Sequence, residues 1–185
     1  MLFRHLVLSA TLALSLIALG GCAARIDVAT DYFPDAQFNA YRSFSFMPER
    51  TLLVAAATPV SPLLEERLKT AAASTLTDSG YRQVTDPEQA DFVVSFTLGA
   101  RDKIRVNSYP SSYRGSWAWG GPYQQQVDVR NYTEGTLAID IFDVRTRQPV
   151  WFGRASKTIS NADRANPTPL INEVVRAILS EFPPG

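Results

Sequence analysis

Two hydrophobic periods alternate along this chain, one of two residues and one of 3.6. Ile26 to Thr30 opens the first, with Ile26 and Val28 set against Asp27. Asp31 to Asp35 then reads as a turn, because Pro34 fixes its own backbone and extends the residue before it. Phe38 and Tyr41 lead into a second strand, Ser43 to Phe46, which Pro48 ends. Thr51 to Thr58 is apolar but carries no turn punctuation and is expected to be a loop. A helix follows. Ser61 is its expected cap and Pro62 its first helical position, while Leu64, Leu68, Ala71, Ala72, Thr75 and Leu76 recur at helical spacing up to Gly80.

The period of two then returns. Tyr81 to Val84 is a short strand, Asp86-Pro87 a turn, and Phe92 to Leu98 a mostly apolar strand expected at the sheet centre. A turn near Gly99 is expected to let Lys103 to Asn107 pair back. Val127 to Tyr132 and Thr136 to Val144 read as two further strands, and Leu137 to Ile159 as a hairpin turning at Arg145 to Gln148. A second helix is expected with Thr168 as cap and Pro169 as first residue. Its apolar stripe is Ile171, Val174, Val175, Ile178 and Phe182, and Pro183-Pro184 ends it. Two one-faced helices and about seven strands predict an α+β fold of two layers. Both helices would pack on one face of a mixed or antiparallel sheet.

Ahead of this domain the pattern is different. Arg4 precedes an apolar run from Leu6 to Leu19, shorter than the roughly 20 residues a membrane-spanning helix needs. Together with the small residues Gly20 and Gly21 it has the layout of a secretory leader. Leu19-Gly20-Gly21-Cys22 resembles a bacterial lipobox. That resemblance implies a leader over 1–21 and a single periplasmic domain over 22–185, with diacylglycerol on the Cys22 thiol and an acylated new amino terminus. The alternative is an ordinary leader with an incidental cysteine. Two or more acyl chains anchor a protein stably. Ala23 follows the cysteine in place of the aspartate that usually retains such proteins at the inner membrane, so the outer membrane is the expected address.

Charge and composition narrow the chemistry. The chain carries 18 basic and 18 acidic residues. Arg4 leaves with the leader and no acid does, so the mature side chains sum to −1. That balance gives no electrostatic footprint for nucleic acid. Cys22 is the only cysteine, and the only histidine, His5, lies in the leader. A mature chain without histidine lacks Ser-His-Asp and Cys-His nucleophiles and the usual zinc ligands. Non-enzymatic function is therefore expected, with no cofactor and no metal, and the sequence sets no oligomeric state.

Two constellations remain. The stretch Tyr109 to Tyr123 is rich in aromatics and glycine. Tyr109, Tyr113, Arg114, Trp117, Trp119 and Tyr123 could bind a partner protein of the envelope or stack on the sugars of peptidoglycan. Equally, they could fold back on the domain or rest near lipid headgroups. Asp140 and Asp143, with Glu134 nearby, form the one acidic cluster on expected strands, and a glycosidase needs two carboxylates flanking the scissile bond. Against that reading, Asp140 alternates away from Leu137, Ile139 and Ile141, as an ordinary solvated carboxylate does.

The order of several short motifs resembles the bacterial envelope lipoprotein family known as domain of unknown function 4136, from about Val28 to Pro184. They are Asp31-Tyr32 with Phe38 and Tyr41, then Ala90-Asp91-Phe92-Val93-Val94. Tyr132-x-Glu134-Gly135-Thr136-Leu137-x-Ile139-Asp140, Val150-Trp151-x-Gly153 and Phe182-Pro183-Pro184 follow. Phe33 stands where the pattern has an acid. The resemblance implies an address and a fold and carries no mechanism.

Overall fold

The computed structural model describes residues 26–48, 51–56, 61–109 and 126–185, with the backbone alone at 56, 104–109 and 126–131. The leader, Cys22, Tyr113, Arg114, Trp117, Trp119 and Tyr123 lie outside the described residues. Seven strands form one mixed sheet in the order β1-β7-β6-β5-β2-β4, with β3 also on β5. They are β1 (Asp27–Tyr32), β2 (Ser43–Phe46), β3 (Leu52–Ala56), β4 (Arg82–Gln83), β5 (Phe92–Tyr109), β6 (Gln126–Asp143) and β7 (Gln148–Ile159). Helices α1 (Leu63–Asp78), α2 (Asn161–Ala165) and α3 (Thr168–Leu179) complete the fold. The expected α+β architecture is the observed one. Leu68, Ala72 and Leu76 of α1 and Ile171, Val175 and Ile178 of α3 are buried with Phe92, Val94, Phe96, Ile139 and Ile141 of the sheet.

The helix ends follow from their residues. At α1 the start is one residue later than expected, since Pro62 (φ −62°, ψ −18°) holds the cap position and Leu63 is the first helical residue, and the Ser61 hydroxyl accepts the Leu63 N–H at 3.3 Å. Gly80, at φ +95°, takes the left-handed position that closes α1. Around it Gly80 N–H donates to the Thr77 carbonyl and Tyr81 N–H to the Leu76 carbonyl. At α3 the expected start is one residue off, since Thr168 is already helical and Pro167 holds the cap position. The short α2 was not expected. Ser160 and Asp163 form a reciprocal capping box there, and none of its residues is buried.

Three other expectations are corrected. Leu52 to Ala56 is a strand, β3, because the edge of β5 runs on past β2 and offers a ladder to a segment with nothing to oppose it. β2 and β3 thus lie in line on the same edge of β5, both parallel to it. Gly99 is no turn, and Lys103 to Asn107 does not fold back. Gly99 pairs with Thr136 inside a strand that continues to Tyr109. Likewise 127–132 and 136–144 are one strand, with Gly135 paired to Ala100 on one side and Lys157 on the other. A glycine in a strand often marks a close approach. At Gly135 a Cβ would sit 2.7 Å from Ile159 Cδ1, and at Gly153 one would sit 2.7 Å from Ile178 Cγ2 and overlap the Trp151 ring.

The end of the sheet away from β3 is an aromatic cluster. Phe182, 4% exposed, contacts the rings of Phe38, Tyr81, Phe92 and Trp151 with centroids 5.3 to 5.9 Å apart. Beside it Asp91 ties β5 to the start of β2. Its Oδ2 accepts the N–H groups of Arg42 and Ser43, each at 2.8 Å, and the Ser43 hydroxyl at 2.9 Å. Burial raises the Asp91 carboxyl, and those three donors outweigh it to hold the group below its ordinary value. The Ala90-Asp91-Phe92 motif is therefore a clamp followed by a core ring.

Candidate functional site

The most distinctive element is built by the two longest strands. β5 and β6 pair without a break from Phe92↔Asp143 to Tyr109↔Gln126. β3 leaves β5 at Ala100, and β7 leaves β6 at Thr133. Beyond those rows, among the described residues, β5 and β6 continue as a two-stranded arm, Lys103–Tyr109 against Gln126–Tyr132. Tyr109 is the last residue of β5 and Gln126 the first of β6, so their paired row is the far end of the arm among the described residues. The rest of the candidate stretch, 110–123, lies outside the described residues.

A polar collar fixes the arm's base. Glu134 accepts from Lys103 Nζ at 2.6 and 2.7 Å on its two oxygens, and Arg101 Nε lies 3.6 Å away. The Lys103 hydrogen bond, against a smaller effect of burial, holds the Glu134 carboxyl below its ordinary range. On the other side the Thr133 hydroxyl donates to Asp102 Oδ1 at 2.8 Å and accepts from Arg164 Nη2 at 2.8 Å. Arg164 belongs to α2, so this short surface helix braces the collar.

The three acids grouped in the sequence are not one site. Glu134 serves the collar. Asp143 is buried at the opposite end of β6, where its carboxylate accepts the Tyr41 hydroxyl at 2.9 Å and the Thr146 N–H at 2.7 Å. Burial raises Asp143, and these donors more than compensate, leaving it lowered. Tyr41 moves the other way, raised by burial and by the Asp143 bond. Asp140 lies between them along β6, on the sheet face opposite Ile139 and Ile141, as the alternation predicted. Its cross-strand neighbours are Ser95 and Phe152, and burial raises its carboxyl. Glu134 is six residues away along the strand, about 20 Å.

The register brings Asp140 a different companion. Asp31 on β1 pairs with Phe152, so Asp31, Phe152, Asp140 and Ser95 form one row across four strands. Asp31, Tyr32, Phe33, Pro149, Phe152 and Asp140 line an open cleft there. No signal in the sequence joins residue 31 to residue 140, because the link is a strand order. On the helix side an apolar groove opens between the starts of α1 and α3, lined by Leu64, Leu68, Leu137, Leu170 and Val174. Lys157 lies at this groove, its ammonium 2.6 Å from Glu173. Among the described residues no cluster of three metal-ligating side chains occurs. No helix of the described residues is long and apolar enough to cross a membrane.

A two-layer α+β body with a mixed sheet, helices on one face and a ribbon drawn out of its central strands defines the class. The chain belongs to the family of domain of unknown function DUF4136, whose model matches residues 28–184. No curated protein matches its sequence. A DUF4136 family protein from Bacteroides thetaiotaomicron is similar in fold, with 15% identity, 85% of this chain and 96% of that one covered, and a TM-score of 0.54. A PelC dodecamer from Paraburkholderia phytofirmans follows at 15% identity, 84% and 95% coverage and a TM-score of 0.49. Lipoprotein GNA1162 from Neisseria meningitidis has 14% identity, 76% and 97% coverage and a TM-score of 0.40.

Proposed function

We propose that this protein is a lipid-anchored lipoprotein of the bacterial envelope, acting without catalysis as an interaction module whose contact element is the β5–β6 arm. One geometric observation carries the reading. β1 begins at Asp27, which pairs with Ser156, and that row continues through Thr136 to Gly99. The arm leaves the sheet from the same end. Four residues lie between Cys22 and Asp27, a leash of at most about 18 Å over its five Cα–Cα steps. From Gly99 to Tyr109 the ladder runs ten residues, about 34 Å. An anchor at Cys22 therefore keeps the far end of the arm at the bilayer surface, where it meets membrane-embedded or membrane-bound partners. The family membership and the lipobox-like Leu19-Gly20-Gly21-Cys22 support the address, and Ala23 favours the outer membrane.

A photoreactive residue at Trp119 in intact cells tests the contact, with Cys22→Ser as the unlipidated control. A discrete crosslinked protein that disappears in the control is the expected result. Monomer only, or lipid adducts only, would remove the arm as a protein-binding element, and a reproducible hydrolase activity would sink the non-enzymatic reading. Fatty-acid labelling that is lost in Cys22→Ser checks the anchor separately.

A further inference from the structure

The sheet has a second feature that points outward, at β3. This strand has a single neighbour, β5, among the described residues. The Thr51 carbonyl accepts the Phe96 N–H at 2.6 Å, which sets the alternation of the ladder. Residues 51, 53 and 55 direct their backbone groups at β5, so the N–H and C=O groups of Leu52, Val54 and Ala56 point away from the sheet. Proteins usually blunt such an edge with lysine, proline, a bulge or an inward charge. Thr51-Leu52-Leu53-Val54-Ala55-Ala56 has none of these. Leu53 and Val54 are 51% and 42% exposed, two of only five large apolar side chains so exposed among the described residues. The opposite edge, β1, carries Asp27 and Asp31.

We infer that β3 is a self-association edge, pairing antiparallel with β3 of a second copy about a two-fold axis at Val54. The residues carry this assignment by their self-complementarity. With the axis at Val54, Val54 faces its own mate, Leu52 faces Ala56, and Leu53 faces Ala55. Both leucines thus meet alanines, the valine meets its own copy at the axis, and every pair keeps to one face of the sheet. The outward-pointing residues are the very ones that antiparallel pairing uses for its closely hydrogen-bonded pairs, giving six main-chain bonds across the axis. At a two-fold axis each charge meets its own copy, and this segment has no charge to repel. A second copy fits these features better than a foreign strand, because the complementarity is of the segment with itself. The axis stands perpendicular to the sheet, so the two amino-terminal leashes leave at opposite ends. A membrane-bound dimer therefore lies with its sheet along the bilayer.

The test uses the full chain expressed in its envelope, since the only other cysteine is Cys22. Under a mild oxidant, Val54→Cys is expected to give a disulfide-linked dimer on a non-reducing gel. Leu52→Cys alone is expected to give at least tenfold less, and Leu52→Cys coexpressed with Ala56→Cys to restore it. The chain without an added cysteine is the control: a dimer there reports a free Cys22 and bears on the anchor alone. Equal crosslinking of Leu52→Cys and Val54→Cys, no dimer from any variant, or a heavier adduct with another protein at residue 54 would overturn the proposal. As a second measurement, Val54→Lys places two ammonium groups at the axis and is expected to lower the dimer fraction of the purified full chain in detergent at least tenfold. An unchanged fraction in a variant with native circular dichroism would also overturn it.

Discussion

One hairpin contains two kinds of β-structure. From Phe92 to Ala100, β5 is flanked on both sides and covered by α1 and α3, and Phe92, Val94 and Phe96 have no exposed surface. Past Ala100 the same strand keeps its pairing to β6 and has no other neighbour among the described residues. The sequence changes at the same row, from Phe-Val-Val-Ser-Phe-Thr-Leu to Arg-Asp-Lys-Ile-Arg-Val-Asn. A two-stranded ribbon is marginal in water, because the ladder only replaces hydrogen bonds that water would make. Apolar burial, at about 25 cal/mol per Å², stabilises the body. Ladder continuity and stability are separate properties here, and the body can hold its fold while the arm opens locally.

The sharpest way to separate the halves is Phe92→Ala. It removes a ring from the middle of the aromatic cluster and is expected to cost about 3–5 kcal/mol, read from denaturant midpoints. Gly153→Ala comes next, at about 1–3 kcal/mol, because the new methyl would press on the Trp151 ring and on Ile178. Gly135→Ala, whose methyl meets only the mobile end of Ile159, is expected to cost less in the same assay.

Protonation gives a smaller and signed effect in the body. Asp143 has a lowered folded-state pKa, so its contribution is complete above the unfolded value of about 4 and is lost as pH falls through the folded value. Tyr41 is raised, so its contribution is complete below about 10 and is lost at higher pH. Asp143→Asn should flatten the acid limb of stability against pH, and Tyr41→Phe the alkaline limb. Unchanged limbs would show that the Tyr41–Asp143 pair does not couple to folding. The smallest effect belongs to the arm. Replacing residues 104–131 with Asn-Gly, to turn directly from Lys103 to its partner Tyr132, should leave the melting temperature of the body unchanged within error. A loss as large as that of Phe92→Ala would erase the distinction between the halves.

Local chemistry made much of the fold readable. Gly80 could be placed because a left-handed residue after an apolar helix has few other uses, and the stripe from Ile171 to Phe182 because its period is unambiguous. The two glycines misread as breaks, Gly99 and Gly135, look alike in sequence whether a strand turns or continues. Their role is set by partners: Thr136 across from one, Ile159 beside the other. β3 is strand because β5 offers it an edge, and no residue within Leu52–Ala56 encodes that edge. The Ser160-x-x-Asp163 box was visible in the sequence, yet a five-residue helix with nothing buried leaves no periodicity to find. For the candidate site, the alternation put Asp140 on the uncovered face correctly. Its neighbour Asp31 depends on the order β1-β7-β6, which is a property of the sheet and not of any segment.

The register of β1 also decides how the domain would respond to being pulled. β1 meets β7 over six consecutive antiparallel pairs, Asp27↔Ser156 to Tyr32↔Trp151, and its amino-terminal end is the one nearest Cys22. A tension transmitted from that side along the strand loads the whole ladder in shear, so all of its bonds share the force and must yield together. The same strand peeled from Tyr32 would open one pair at a time. Resistance to force is a matter of unfolding rate, not of equilibrium stability. A tethered domain joined in this direction holds against drag on its attachment far longer than its free energy alone would indicate.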